Sequence, residues 1–268
     1  TPQQTVDQVE DLVRIYVDER RRLGLPLNKF PLRRELQVAD SYDDALRDSY
    51  DVLLGVRHAL HEVTGRRGDR LGLADQDAVA EAMGLQDADE LVRRMADAAR
   101  TVAWRSDEVW ERVEASLAGP VGRLARRDRP CGPGVVLRDG QVHAQVGTGP
   151  DDVLDVAVAA ARRGVRIERG TLVRLAAERG SGDFAWTPAR RDRFVELLAS
   201  GPQLIQVVES LQQYGLWTWV LPEWKRLVSL PQRNAYHSYT VDRHLVETVV
   251  GAAERTSRVR RPDLLVLG

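Results

Sequence analysis

The apolar residues of this chain recur mostly at three- and four-residue intervals, the spacing of one helix face. Val6, Val9, Val13, Tyr16 and Val17 mark a helix over 5–22, stopped by Gly24 and Pro26. The stretch LPLNKFPLRREL that follows is a proline-punctuated connector. Leu46, Tyr50, Leu53, Leu60 and Val63 predict a second helix over 42–63, with Gly65 as its stop. Asp75 is placed to cap a short helix ending at Gly84, and Asp87 with Glu90 three residues on resembles a capping box. From there Leu91, Met95, Ala98, Val102, Val109, Val113 and Leu117 predict one helix of about thirty residues, roughly 45 Å long at 1.5 Å per residue, ended by Gly119 and Pro120. A long helix flanked by shorter antiparallel partners reads as a bundle.

The period changes over 120–150. GVVLRDGQVHAQV is two short alternating runs around Asp139-Gly140, a strong hairpin turn signal, and it predicts one small β-hairpin between two helical parts. Helical spacing then returns. Asp151 opens a helix closed by Gly164, and Thr171 opens one closed by Gly180. Thr187-Pro188 is an N-cap with a first-turn proline, followed by the apolar Phe194, Leu197 and Leu198. Pro202 starts a helix running to Gly215, and Thr240 caps one over 241–256. The last stretch, RPDLLVLG, begins an apolar element too short to stand alone, so the chain reads as a fragment. The fold class expected is mainly α.

Charge narrows the partners. The formal net charge is −1, from 39 basic and 40 acidic side chains, so no global field exists to hold nucleic acid or an anionic membrane. Only Lys29 and Lys225 are lysine, and every other basic residue is Arg. That bias fits either a GC-rich genome or a set of phosphate-binding forks. Acids at matching density argue against nucleic acid. Cys131 is the only cysteine, which excludes an intramolecular disulfide and suits a reducing cytoplasm. No window approaches the length needed to cross a bilayer, so a soluble cytoplasmic protein is expected.

Candidate chemistry centres on histidine. On a helix from 241, Val241, Leu245, Thr248 and Ala252 define an expected inward stripe that His244 shares. An inward histidine needs partners for its ring nitrogens, and it is either a hydrogen-bonded core residue or a metal ligand. His237 lies before the cap of that helix. His58 and His61 sit three apart on a helix, a spacing that can hold a metal but more often marks exposed residues near a helix C-terminus. His143 falls on a strand, where a lone histidine is most often a pairing or surface residue. Trp217, Trp219 and Trp224 around Pro222 read as a packing plug or a stacking surface. P-loop, Rossmann, nucleophile-elbow and zinc-type Cys/His patterns do not occur.

The segment LPEWKRLVSLPQRNAYHSYTVDRHLVETVV joins a Leu-Pro-Glu turn, a Pro-Gln pair, a histidine–aromatic step and YTVDRH. It resembles the entry to the HD domain of the PII uridylyltransferase/uridylyl-removing enzymes, especially the actinobacterial form. Upstream, LRDSYDVLLGVRHALHEVTGRRGDRL is similar to the helical linker that follows the nucleotidyltransferase domain in that family. The resemblance spans 39–268 and is most specific at 42–75 and 215–250. It implies that 1–38 is an N-terminal helix and connector left from a nucleotidyltransferase domain, and that 39–119 is a helical linker bundle. It makes 120–268 the hairpin and the N-terminal part of an HD-type phosphohydrolase domain.

The resemblance also implies an activity. Such enzymes transfer UMP from UTP, or in some actinobacteria AMP from ATP, to a tyrosine of the PII nitrogen-signalling protein. Their HD domain hydrolyses that phosphodiester, and glutamine is sensed through ACT domains absent here. His244 matches the first histidine of the HD metal site, which would bind a divalent ion, Mg or Mn. The His-Asp doublet and the later aspartate of that site do not occur, nor does the Gly-Ser followed by Asp-x-Asp of the transferase. A non-catalytic helical scaffold that binds a regulatory protein is the alternative. The isolated 268-residue chain is expected neither to uridylylate PII nor to strip UMP from it. Turnover of radiolabelled UTP or of labelled uridylyl-PII by the pure chain would contradict this.

Overall fold

The computed structural model describes residues 43–117, 128–232 and 239–258. The helix expected over 5–22, its connector, His237 and the RPDLLVLG stretch lie outside the described residues. Among the described residues the chain is mainly helical, with one three-stranded antiparallel sheet. None of the helices searched is long and apolar enough to cross a membrane.

Three helices come first: α1 (Asp43–Thr64), α2 (Gln76–Ala82) and α3 (Ala88–Leu117). The thirty-residue length of α3 is the one its periodicity predicts. Asp87 caps it, accepting from the Glu90 amide at 2.8 Å. Glu90 returns the bond to the Gln86 amide at 2.8 Å, one residue upstream of the usual capping-box target. Asp75 stands at the N-cap of α2, yet its side chain makes no capping bond. Val56, Ala59 and Leu60 of α1 bury against Val79 and Ala80 of α2 and Leu91 of α3.

The expected hairpin forms from β2 (Val135–Arg138) and β3 (Gln141–Ala144). Asp139 (φ 49°) and Gly140 (φ 78°) both take positive φ, as a two-residue type I′ turn requires. A further strand, β1 (Arg129–Gly132), corrects the two-stranded expectation. Its sequence RPCG shows no alternation and carries a proline, which a sheet tolerates only at an edge, and its register slips between Pro130 and Gly132. On the other side, Val142 forms a parallel bridge with Ile167.

Against this sheet lies α4 (Val153–Arg163), in which every residue from Val153 to Ala161 except Asp155 is buried. A helix apolar almost all round belongs at the centre. Asp155 is answered by Arg193 Nε at 2.8 Å. Around α4 stand α5 (Arg169–Glu178), α6 (Pro188–Leu198), α7 (Gln203–Gln213), α8 (Trp217–Val220) and α9 (Val241–Arg258). Helix α5 starts before the expected Thr171 because the Glu168 carboxylate accepts from the Gly170 and Thr171 amides at 2.6 and 2.7 Å. The Thr171 hydroxyl is turned instead to the Ala144 amide at 3.2 Å. Thr187 caps α6 as expected, accepting from the Arg190 amide. Trp217 is fully buried, stacked on Phe194 and edge-on to Trp224, while Trp219 meets Phe184 edge-on. The tryptophan cluster is therefore packing.

Two glycines distinguish conformation from space. Gly140 faces open solvent, whereas a methyl group on Gly134 (φ 63°) would collide with the Thr148 hydroxyl, which donates to the Gly134 carbonyl at 2.7 Å. Gly140→Ala is expected to cost about 1 kcal/mol for its positive φ. Gly134→Ala is expected to cost a further 1–3 kcal/mol or so for the overlap. Urea denaturation of the two variants checks the order.

Candidate functional site

The second half of α3 carries a face that its apolar periodicity does not announce. Asp97, Arg100, Trp104 and Glu108 follow one another at three- and four-residue steps, so they line one side of the helix. Trp104 and Glu108 are buried. This side of α3 meets α7, the turn at Ser229 and the start of α9.

Arg100 is the centre of the contact. Its Nε donates to Glu209 Oε2 at 2.9 Å, and its Nη1 donates to Asp242 Oδ2 at 2.7 Å. The Ser229 hydroxyl stands 3.5 Å from Nη1 and donates to Asp97 Oδ1 at 3.4 Å. Gln213 Nε2 occupies the other Glu209 oxygen at 2.9 Å. Thus one guanidinium on α3 ties α7 to α9. The planar fork of Arg suits two carboxylates approaching from different elements; a lysine ammonium has no such geometry.

Asp242 is 1% exposed. Burial is the largest single influence and would raise its carboxyl, but the Arg100 charge and the hydrogen bonds from Thr240, Arg100 and the Ser229 amide together outweigh it. The carboxyl is held below the ordinary aspartate range. Its Oδ1 has no partner of good hydrogen-bond geometry. Burial likewise works against the Arg100 charge, and Glu209 and Asp242 overcome it. Both groups are therefore ionised at neutral pH.

Beside the cluster opens a cleft of about 310 Å³, bounded by Trp104 and Asp107 of α3, Glu209 of α7, and Thr240 and Arg243 at the head of α9. Arg166 lies over the Trp104 ring at 4.7 Å and reaches Asp107 at 3.6 Å. Arg243 binds Glu247 at 2.8 Å one turn along α9.

His244 is in the first turn of α9, its amide bonded to the Thr240 carbonyl at 2.9 Å. The buried face of α9 is Asp242, Val246 and Val250, with Val249 half-buried. Leu245, Thr248 and Ala252, expected inward with His244, are exposed, and so is His244 itself. The correction has a physical cause. Val241, Leu245, Val246, Val249 and Val250 form an apolar arc wider than one stripe, and the Arg100–Asp242 pair selects which edge of it turns inward.

The other histidines do not gather there. His61 Nε2 lies 3.1 Å from the Gly68 carbonyl and closes the turn after α1, while His58 is exposed. His143 on β3 stands 3.7 Å from Glu168. Among the described residues no group of three or more His, Cys, Asp or Glu side chains is arranged to hold a metal ion. Sequence reading missed Arg100, Glu209 and Ser229. The available signal was Trp104, a large apolar residue on the polar side of a long helix, one turn after Arg100.

Comparison with known proteins gives a consistent neighbourhood. Residues 33–112 match the family model described as GlnD PII-uridylyltransferase. The chain is 40% identical over 248 residues to the bifunctional uridylyltransferase/uridylyl-removing enzyme of Streptomyces coelicolor, covering 86% of this chain and 30% of that protein. It is 37% identical over 231 residues to the Mycobacterium tuberculosis protein of the same name, covering 84% of this chain and 29% of that one. The Corynebacterium glutamicum protein of that name is 33% identical, with 82% and 32% covered. The chain thus spans about a third of the length of these relatives. No solved structure matches it significantly.

The depressed Asp242 carboxyl has a consequence for stability. Its folded value lies below its unfolded one, so its contribution is complete above the ordinary aspartate range, near pH 4, and is lost as pH falls through the folded value. Asp242→Asn is expected to lower stability at pH 7 by on the order of 2 kcal/mol. The same substitution makes the decline of stability below about pH 4 shallower. Chemical denaturation at a series of pH values measures both.

Proposed function

We propose that this chain, which belongs to the bifunctional uridylyltransferase/uridylyl-removing family, forms the helical linker and the entry to the nucleotidyl-removing site of its enzyme. The reactions of the whole enzyme are transfer of UMP from UTP, or of AMP from ATP, to a tyrosine of a PII signalling protein, and hydrolysis of the resulting phosphodiester. PII is the protein partner, glutamine is sensed through domains outside this chain, and the enzyme works in the cytoplasm. In the linker-plus-entry reading, 39–119 is the linker bundle and 120–268 begins the HD-type domain.

The observation that carries the reading is the placement of His244. It lies within YTVDRH, in the first turn of a helix whose opposite face is anchored in the core by Asp242, Val246 and Val250. Its own side chain is exposed, on the side of α9 away from Val246 and Val250, where an ion could also draw donors from elsewhere in the enzyme. His244 fits as one donor of a set. A divalent ion, Mg or Mn, would polarise the phosphoryl oxygens and lower the pKa of a bound water. The chain's own residues hold the donor: α9 fixes its backbone, and Asp242 fixes α9. His237, just before the helix, serves the entry turn rather than the ion.

His244→Ala in the full-length enzyme is expected to abolish nucleotidyl removal and lower bound metal, while transfer stays within about two-fold, because the transfer site is a separate one with its own carboxylates. His237→Ala is expected to cost stability more than removal activity. Paired assays on purified variants, with metal content measured alongside, decide it. Wild-type removal and metal content in His244→Ala would end the ligand assignment.

A further inference from the structure

We infer that Arg100 is a positioning residue for the removal reaction: through Asp242 it sets the placement of the helix turn that carries His244. The inference rests on the removal function proposed above, and it adds a residue from the linker, about 140 positions away in sequence, to that site.

The geometry is specific. Asp242 and His244 share the first turn of α9, two residues apart, so they project from different sides of it. Whatever fixes Asp242 inward fixes the direction in which His244 leaves the helix. Asp242 is buried, and the charged group it bonds is Arg100. Arg100 in turn cannot follow a displaced Asp242, because its Nε is held by Glu209, and Glu209 is held by Gln213 on α7. The Arg243–Glu247 pair runs along α9 itself and joins it to no other helix. Apolar contacts of Val246 and Val250 seat the helix on the core, but they are non-directional and begin one turn later. The Val241 amide bonds the Leu230 carbonyl at 2.9 Å and fixes the backbone where α9 begins, and the ion cluster adds the directional side-chain bond that sets the angle of the first turn.

Arg100 touches no reacting group, so its removal changes the alignment of His244 and not the chemistry available to it. In the full-length enzyme, Arg100→Lys keeps the charge but loses the fork that reaches two carboxylates at once. Expected for Arg100→Lys is a fall of ten-fold or more in kcat for removal of UMP from uridylyl-PII, with KM within two-fold and transfer activity within two-fold. Asp242→Asn, which keeps the shape of the side chain, is expected to show the same split. Both variants should show faster amide hydrogen exchange confined to the first turns of α9.

The inference is overturned if Arg100→Lys and Asp242→Asn keep removal kcat within two-fold of wild type. It is equally overturned if removal and transfer fall together, or if both variants lose helical circular dichroism, since the cluster would then hold the fold at large. His244→Ala run in parallel separates the two ideas. If His244→Ala keeps removal, the reading of the site fails. If it abolishes removal while the Arg100 and Asp242 variants do not, only the positioning role fails.

Discussion

One buried guanidinium fixes how three helices of the described structure meet. Arg100 is drawn out of water between Glu209 and Asp242, and desolvating three ions costs several kcal/mol each before their attraction returns it. Packed apolar side chains could supply as much stability in that volume. What they could not supply is direction: hydrogen bonds at 2.9 and 2.7 Å from two nitrogens of one planar group admit one arrangement of α3, α7 and α9.

That constraint joins two separately packed regions. Leu91, near the start of α3, is buried with α1 and α2. The second core is built on α4, whose alanines let neighbouring helices come close, and it runs from Val135 to Val250. Between them α3 is continuous. Beyond Arg100 its Trp104 meets Arg166, and Arg105 bonds Glu108 and the Tyr214 hydroxyl. The contacts of α3 with the second core are thus polar and aromatic, while those with the first are aliphatic.

Most of the described helices, the caps at Asp87 and Thr187 and the Asp139-Gly140 turn were legible in sequence because each rests on local chemistry. Thr187 caps whatever helix follows it, and two positive-φ residues make their turn without help. Contacts over a hundred residues were not legible. Nothing in the local pattern says that Arg100 meets Asp242, and without that pair the wide apolar arc of α9 gives two defensible inward faces, of which the wrong one was expected. Strand β1 was hidden for a related reason: RPCG forms a strand through its partner, and its own sequence does not ask for one. His244 was recognised as a candidate from the motif around it, and its orientation came only with the tertiary contact.

The continuity of α3 ties the two cores together in phase. Leu91 and Arg100 lie on one uninterrupted helix, so inserting a single residue between them would turn Arg100 through about 100° relative to Leu91. The fork would then point away from Glu209 and Asp242 while every local propensity stayed satisfied. An insertion of seven residues returns the angle to within about 20° but lengthens the span by two turns. This part of the chain is therefore a ruler as well as a strut: its length in residues encodes an angle.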